Sequence, residues 1–115
     1  MLVKENRLRL KNDFKKVFEK GKFCRERFLA VKILFNENDV SRFGFIVSKK
    51  ISKKAVVRNK IKRRLRESVR LKLKNGSIKN GFDAVILTRP QIIDKKFVEI
   101  DEVMNKLLEK AGVLK

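Results

Sequence analysis

Apolar positions along this chain repeat with two different periods, and each change of period marks out an element. Over residues 10–20, LKNDFKKVFEK sets Leu10, Phe14, Val17 and Phe18 three or four apart, the spacing of one helical face, with Gly21 placed to end the helix. Over residues 27–35 the period falls to two. Leu29, Val31, Ile33 and Phe35 share one side of a predicted strand, and Phe28, Ala30, Lys32 and Leu34 share the other. Residues 36–39 read as a turn. SRFGFIVS (residues 41–48) reads as a second strand, in which Phe43, Phe45 and Val47 alternate with Arg42, Gly44, Ile46 and Ser48, and a hairpin is expected to join the two. A basic connector over residues 49–54, with room for a short strand end, leads into a long helix from about Val56 to Lys74, closed by Asn75 and Gly76. FDAVILT (residues 82–88) is a further strand, barred from continuing by Pro90. Finally Phe97, Ile100, Met104, Leu107, Leu108 and Ala111 fall at helical spacing, and Gly112 ends that helix. With no repeat and no low-complexity segment, residues 1–115 are expected to form one domain.

Charge changes this picture most. Among 115 residues there are 32 Lys and Arg against 13 Asp and Glu, a formal net charge of +19. Solubility does not require so strong a field, and it attracts polyanions, nucleic acid first. The rival partner, a membrane surface, finds little support: MLVKENRLRL is charged from its fourth residue, and the apolar run FLAVKILF is broken by Lys32 and too short to span a bilayer. A soluble, cytoplasmic protein is expected. The single Cys24 fits a reducing compartment and reads as a small buried apolar residue.

Within the long helix the charge is segregated. At about 100° per residue, Val57, Ile61 and Leu65 fall on one side, while Asn59, Lys62, Arg63, Arg66 and Arg70 gather opposite. Solvated faces ordinarily mix signs, because like charges at this spacing repel. Residues 49–74 hold thirteen Lys or Arg and one acid, Glu67. An apolar stripe that anchors such a helix fixes the spacing of its guanidinium groups, so the row can recognise the shape of a phosphate backbone.

Candidate catalytic chemistry is sparse. Without His there is no Ser-His-Asp or Cys-His nucleophile and no His-ligated metal. The densest acids, Asp94, Glu99, Asp101 and Glu102, could hold a hard divalent cation. Their plainer reading makes Asp94 a helix cap and the others a solvated face. A metal-dependent nuclease is thus the remote reading, and a ribosomal or architectural RNA-binding protein the nearer one.

VSKKISKKAVVRNKIKRRLRES resembles the signature of the protein subunit of bacterial ribonuclease P, whose core reads Arg-Asn-Arg, one residue, Lys-Arg, two residues, Arg-Glu. RLRLKNDFKKVFEKGK is similar to that family's opening helix, FGFIVSKK to its strand before the signature, and GFDAVILTRP to its late strand ending in Arg-Pro. The resemblance implies an α/β fold, an α+β two-layer sandwich of order α-β-β-(β)-α-β-α, with a left-handed crossover between parallel strands. It also implies a division of labour. Cleavage belongs to a partner RNA and the magnesium ions that RNA needs, while the protein, the non-catalytic subunit, holds the RNA and the 5′ leader of precursor tRNA. No cofactor of its own, no membrane and no obligate protein partner are expected.

Carried onto this sequence, the RNA-facing residues are Arg58, Asn59, Lys60, Lys62, Arg63 and Arg66, with Lys53, Lys54 and Arg70 beside them. Lys60 stands where the family has Arg, which keeps the charge and loses the planar fork. For the leader cleft the resemblance implies Phe14, Phe18, Val31, Ile46, Ser48, Lys50 and Arg89. From spacing alone Phe14 and Phe18 are core side chains at i,i+4; as cleft residues they would offer bases a stacking surface indifferent to sequence.

Overall fold

The computed structural model describes residues 2–36 and 38–115. Helix α1 (Lys11–Lys20) is followed by strands β1 (Lys22–Glu26), β2 (Leu29–Phe35) and β3 (Arg42–Ile46), helix α2 (Ala55–Lys74), strand β4 (Phe82–Thr88) and helix α3 (Phe97–Lys110). The strands form one sheet in the order β1-β2-β4-β3. Strand β4 pairs antiparallel with β2 and parallel with β3, so α2 makes the crossover between adjacent parallel strands.

Two expectations about pairing are corrected. The 27–35 and 41–48 strands form no hairpin with one another, because β4 lies between them. FDAVILT is apolar on both sides, and Phe82, Ala84, Val85 and Ile86 are all fully buried; such a strand belongs in the sheet centre, covered on both faces. The hairpin that does exist joins β1 to β2, and β1 escapes the pattern reading. Its sequence KFCRE carries charge on both faces, as an edge strand can, and its turn uses Arg27 at φ 52° where Gly or Asn would have signalled it. The turn expected over residues 36–39 includes Glu37, which lies outside the described residues. Residues 49–51 are a turn and not a strand end, closed by the Ile51 N–H donating to the Ser48 carbonyl at 3.0 Å.

Alternation divides the sheet between two cores. Leu29, Val31, Ile33, Phe43, Ala84 and Ile86 face α2 and α3 in the main core, with Ile61, Leu65 and Val69 of α2 and Ile100, Met104, Leu107 and Leu108 of α3. Sheet and helix pair make the sandwich. On the other face, α1 packs Val17 against Leu8 and Val85, with Phe14, Phe18, Leu34, Ile46 and Leu87 around them. The α2 stripe continues through two polar residues, Ser68 and Lys72, both buried. Lys72 Nζ and Ser68 Oγ each donate to Asp101 Oδ1 of α3 at 2.6 Å, so the buried ammonium has a counter-charge. Gly76, at φ 75°, supplies the left-handed residue that ends α2.

α1 is tied to the sheet by charge. Arg42 grips Asp83, its neighbour across the β3–β4 pair, through Nε (2.9 Å) and Nη2 (2.7 Å), and reaches Asp13 of α1 through Nη1 at 3.3 Å. Asn36 Nδ2 donates to the same Asp83 carboxylate at 2.8 Å. Asp94 is not the α3 cap, since it closes a 3-10 turn (Pro90–Asp94) and α3 starts after Lys96, whose N–H donates to the Glu99 carboxylate at 3.2 Å.

Ile61→Ala is expected to lower stability by about 2–5 kcal/mol through the cavity it leaves beneath α2, measured in a denaturant melt; an unchanged midpoint would put the α2 stripe outside the core. Burial alone would push the Asp101 carboxyl up, but the hydrogen bonds from Lys72 and Ser68 and the Lys72 charge outweigh it and hold the carboxyl below its ordinary value. A depressed carboxylate stabilises the fold above its unfolded value, near pH 4, and that contribution is lost as pH falls through the folded one. The parent should therefore be more stable than Asp101→Asn at neutral pH, with the gap closing below about pH 4. Parallel stability curves for the two proteins would contradict this account.

Candidate nucleic-acid interface

α2 is a rigid bar anchored along one side, and its free side carries the expected cations. Lys53, Lys54, Asn59, Lys60 and Arg63 are exposed, and Arg58, Lys62, Arg66 and Arg70 are half-buried. Two of these have partners already. Arg58 Nη1 donates to the Ser52 carbonyl at 2.9 Å, which pins the connector to the helix start. Arg70 Nε donates to Glu67 at 2.8 Å, and this bond holds the Glu67 carboxyl below its ordinary value. The one acid of the strip is thus spent on Arg70, and none of the ion pairs among the described residues involves Lys60, Lys62, Arg63 or Arg66.

Arg66 stands at a junction. On one side it lines a groove of about 550 Å³ with Asn59, Arg63, Arg64, Glu67 and Phe97. On the other it reaches a cleft of about 270 Å³ bounded by Arg7, Arg9, Phe14, Gly44 and Phe45. Arg7 and Arg9 were not singled out by sequence reasoning. Their signal was the alternation RLRL over residues 7–10, an extended segment that pairs with the β3 edge through the Leu8 N–H and the Phe43 carbonyl at 2.9 Å.

Pairing register defines what lies under and beside α1. One row across the sheet runs Gly44, Val85, Lys32, Phe23, and the next runs Ile46, Leu87, Ala30, Arg25. α1 covers the first as far as Lys32 and leaves Phe23 exposed: the Phe14 ring lies on Gly44, where a Cβ would overlap it, and Lys32 Nζ donates to the Phe18 carbonyl at 2.7 Å with its charge 5.7 Å from the Phe18 ring centre. The second row is left half-open at Ile46 and Leu87, which, like the two rings, pack against the small cluster of Leu8, Val17 and Val85. Ser48, Lys50 and Arg89 are exposed beyond the C-terminal ends of the parallel strands β3 and β4.

Val31 is a correction. It is fully buried on the opposite face, between Cys24 and Ile86, and no ligand above α1 can touch it. Strand alternation places its neighbours Ala30 and Lys32 on the α1 face instead, so the error is one residue of register. Phe14 and Phe18 are neither free nor core: each is half-buried, one side packed and one side open.

The acids of α3 go elsewhere. Asp101 holds Lys72, Glu99 caps the helix, and among the described residues no three His, Cys, Asp or Glu converge as metal ligands. Also among the described residues, no helix is long and apolar enough to cross a membrane.

Sequence and structure comparisons agree on what this basic surface belongs to. The family model described as Ribonuclease P matches residues 2–112. The ribonuclease P protein component of Clostridium botulinum (strain 657 / Type Ba4) is 38% identical over 111 residues, covering 96% of this chain and 98% of the relative. That of Syntrophomonas wolfei is 41% identical over 113 residues, covering 98% and 92%. The RNase P protein of Staphylococcus aureus superposes with a TM-score of 0.84 at 32% identity over 96% of this chain and 98% of that one. For the protein from Thermotoga maritima the TM-score is 0.79 at 34% identity, over 90% and 96%. With its basic crossover helix, its mixed sheet and relatives alike over nearly their whole length, the chain belongs to the ribonuclease P protein family, as the non-catalytic protein subunit of a bacterial endoribonuclease whose other part is RNA.

Proposed function

We propose that the chain acts as a single RNA-binding domain that grips ribonuclease P RNA with α2 and guides the 5′ leader of precursor tRNA through the cleft beside α1, in the cytoplasm. The observation that carries this reading is the row Lys60, Lys62, Arg63 and Arg66 on α2, which no acid among the described residues pairs with. A flexible basic tail would bind any polyanion, whereas a helix pinned by Ile61, Leu65 and Val69 presents its guanidinium groups at fixed spacing and favours an RNA whose phosphates match. Counterion release supplies most of the affinity, so binding weakens steeply with salt.

The leader half of the proposal rests on the half-open row. Phe14 and Phe18 offer ring faces that any base can stack on, Ile46 and Leu87 form an apolar floor, and Lys32, Lys50 and Arg89 provide charge for the backbone. Such a site is indifferent to sequence, as a protein serving many leaders requires. Divalent-cation chemistry falls to the RNA in this reading; it is supported by the engagement of Asp101 and Glu99 in structural contacts.

Arg63→Ala and Arg66→Ala are each expected to weaken binding to a bacterial ribonuclease P RNA by about 1.5–3 kcal/mol and to flatten the log–log salt dependence by about 0.7–0.9 per lost phosphate contact, without moving the melt. Affinity and slope both unchanged would remove α2 from the RNA interface. For the cleft, Phe14→Leu and Phe18→Leu keep much of the packing and lose the aromatic face. Both should weaken precursor tRNA with a long leader relative to mature tRNA by about 1–3 kcal/mol in the reconstituted complex. An unaltered precursor-to-mature ratio in both variants would return the two rings to a purely structural role.

A further inference from the structure

Phe97 heads the apolar stripe of α3, yet it belongs to neither core cluster. It is half-buried and turns toward α2, where it lines the 550 Å³ groove with Asn59, Arg63, Arg64, Arg66 and Glu67. The ring and the arginines are held on one frame. Arg64 Nη1 donates to the Lys95 carbonyl at 2.7 Å, tying the segment just before Phe97 to the middle of α2, and Phe97 itself is the first residue of α3. Glu67 is turned to Arg70, so the groove keeps the positive charge of Arg63 and Arg66.

Phosphates alone would not call for this arrangement. Guanidinium groups satisfy a phosphate without help from an aromatic ring, and an aromatic face has nothing to offer an anion. What a ring set among guanidinium groups does fit is a nucleobase, stacked on the ring face while the flanking phosphates meet the charges. We propose that this groove receives one unpaired base of the RNA partner, stacked on Phe97, with Arg63 and Arg66 on the adjoining phosphates and Asn59 within reach of the base edge. α2 then reads more than the course of a backbone: it selects RNA that presents an unstacked base at one position, and plain duplex is bound without that contribution. The inference rests on α2 being the RNA-holding face and adds a position-specific element to it.

The chain contains no Trp and no Tyr, so Phe97→Trp installs a single reporter. Titrated with a bacterial ribonuclease P RNA, the indole emission is expected to be quenched to saturation at one RNA per protein, while a fully paired RNA duplex binds at low salt without comparable quenching. Phe97→Leu, which keeps an apolar side chain over the arginine stems, is expected to weaken binding to the same RNA by about 5- to 150-fold with the salt slope unchanged, because no phosphate contact is lost. Its melt should match the parent. Arg63→Ala is the control. If it flattens the slope while Phe97→Leu leaves affinity intact, the base platform is wrong and the RNA face stands. If neither variant moves affinity, the RNA face itself fails. Equal quenching by RNA and duplex would likewise overturn the proposal, since proximity to a backbone would then account for the signal.

Discussion

Burial of the α2 stripe is the contact on which the rest of this molecule depends. Arg58 and Lys62, Lys60 and Arg64, Lys62 and Arg66, Arg66 and Arg70, and Arg70 and Lys74 are like-charged pairs at i,i+4, each opposing the helix by about 0.2–0.5 kcal/mol. Against them, Ile61, Leu65 and Val69 are buried almost completely, each contributing about 1.5–3 kcal/mol. Burial outweighs repulsion, and the helix persists with its charges aligned. Freed from the core, the same twenty residues would have little reason to remain helical.

The sheet solves a second problem, that of giving a small chain both a core and an open surface. β4 is buried on both faces, so it fixes the order of its neighbours: β2 on one side, β3 on the other, and the crossover helix over one face. That face is filled by α2 and α3. The opposite face is only partly covered, because α1 crosses one row of side chains and leaves the next half-open. Arg42, bridging Asp83 of the central strand and Asp13 of α1, sets where that cover ends. The half-open row beside α1 is therefore a consequence of how far a ten-residue helix can reach.

Arg66, shared between the α2 groove and the cleft beside Phe14, makes the two proposed RNA surfaces continuous. A partner RNA on α2 and a single strand beside α1 can thus be held by one protein at once. This suits a subunit that contributes binding and position while the chemistry resides in RNA.

The sequence by itself determined the helices and the strands they alternate with, wherever one period ran long enough. α2 begins one residue from the expected start and ends where Asn75 and Gly76 stop it, and β4 spans FDAVILT as its apolar run and Pro90 require. It also determined the basic face, since charge segregation at 100° per residue needs no partner to be visible. Tertiary structure alone decided what depends on neighbours distant in sequence. No local pattern says that β4 inserts between β2 and β3, because pairing is settled by which strand is apolar on both faces once all are present. β1 stayed hidden because an edge strand tolerates charge and its turn strains an arginine. Val31 and Lys32 exchange faces on a one-residue choice of register that only the ladder to Ile86 and Val85 fixes. Lys72 lies in the core because Asp101 meets it there, and Phe97 stays out of the core because the first residue of α3 lines the groove beside α2. Composition cannot foresee either, since each is set by a contact between two elements about thirty residues apart.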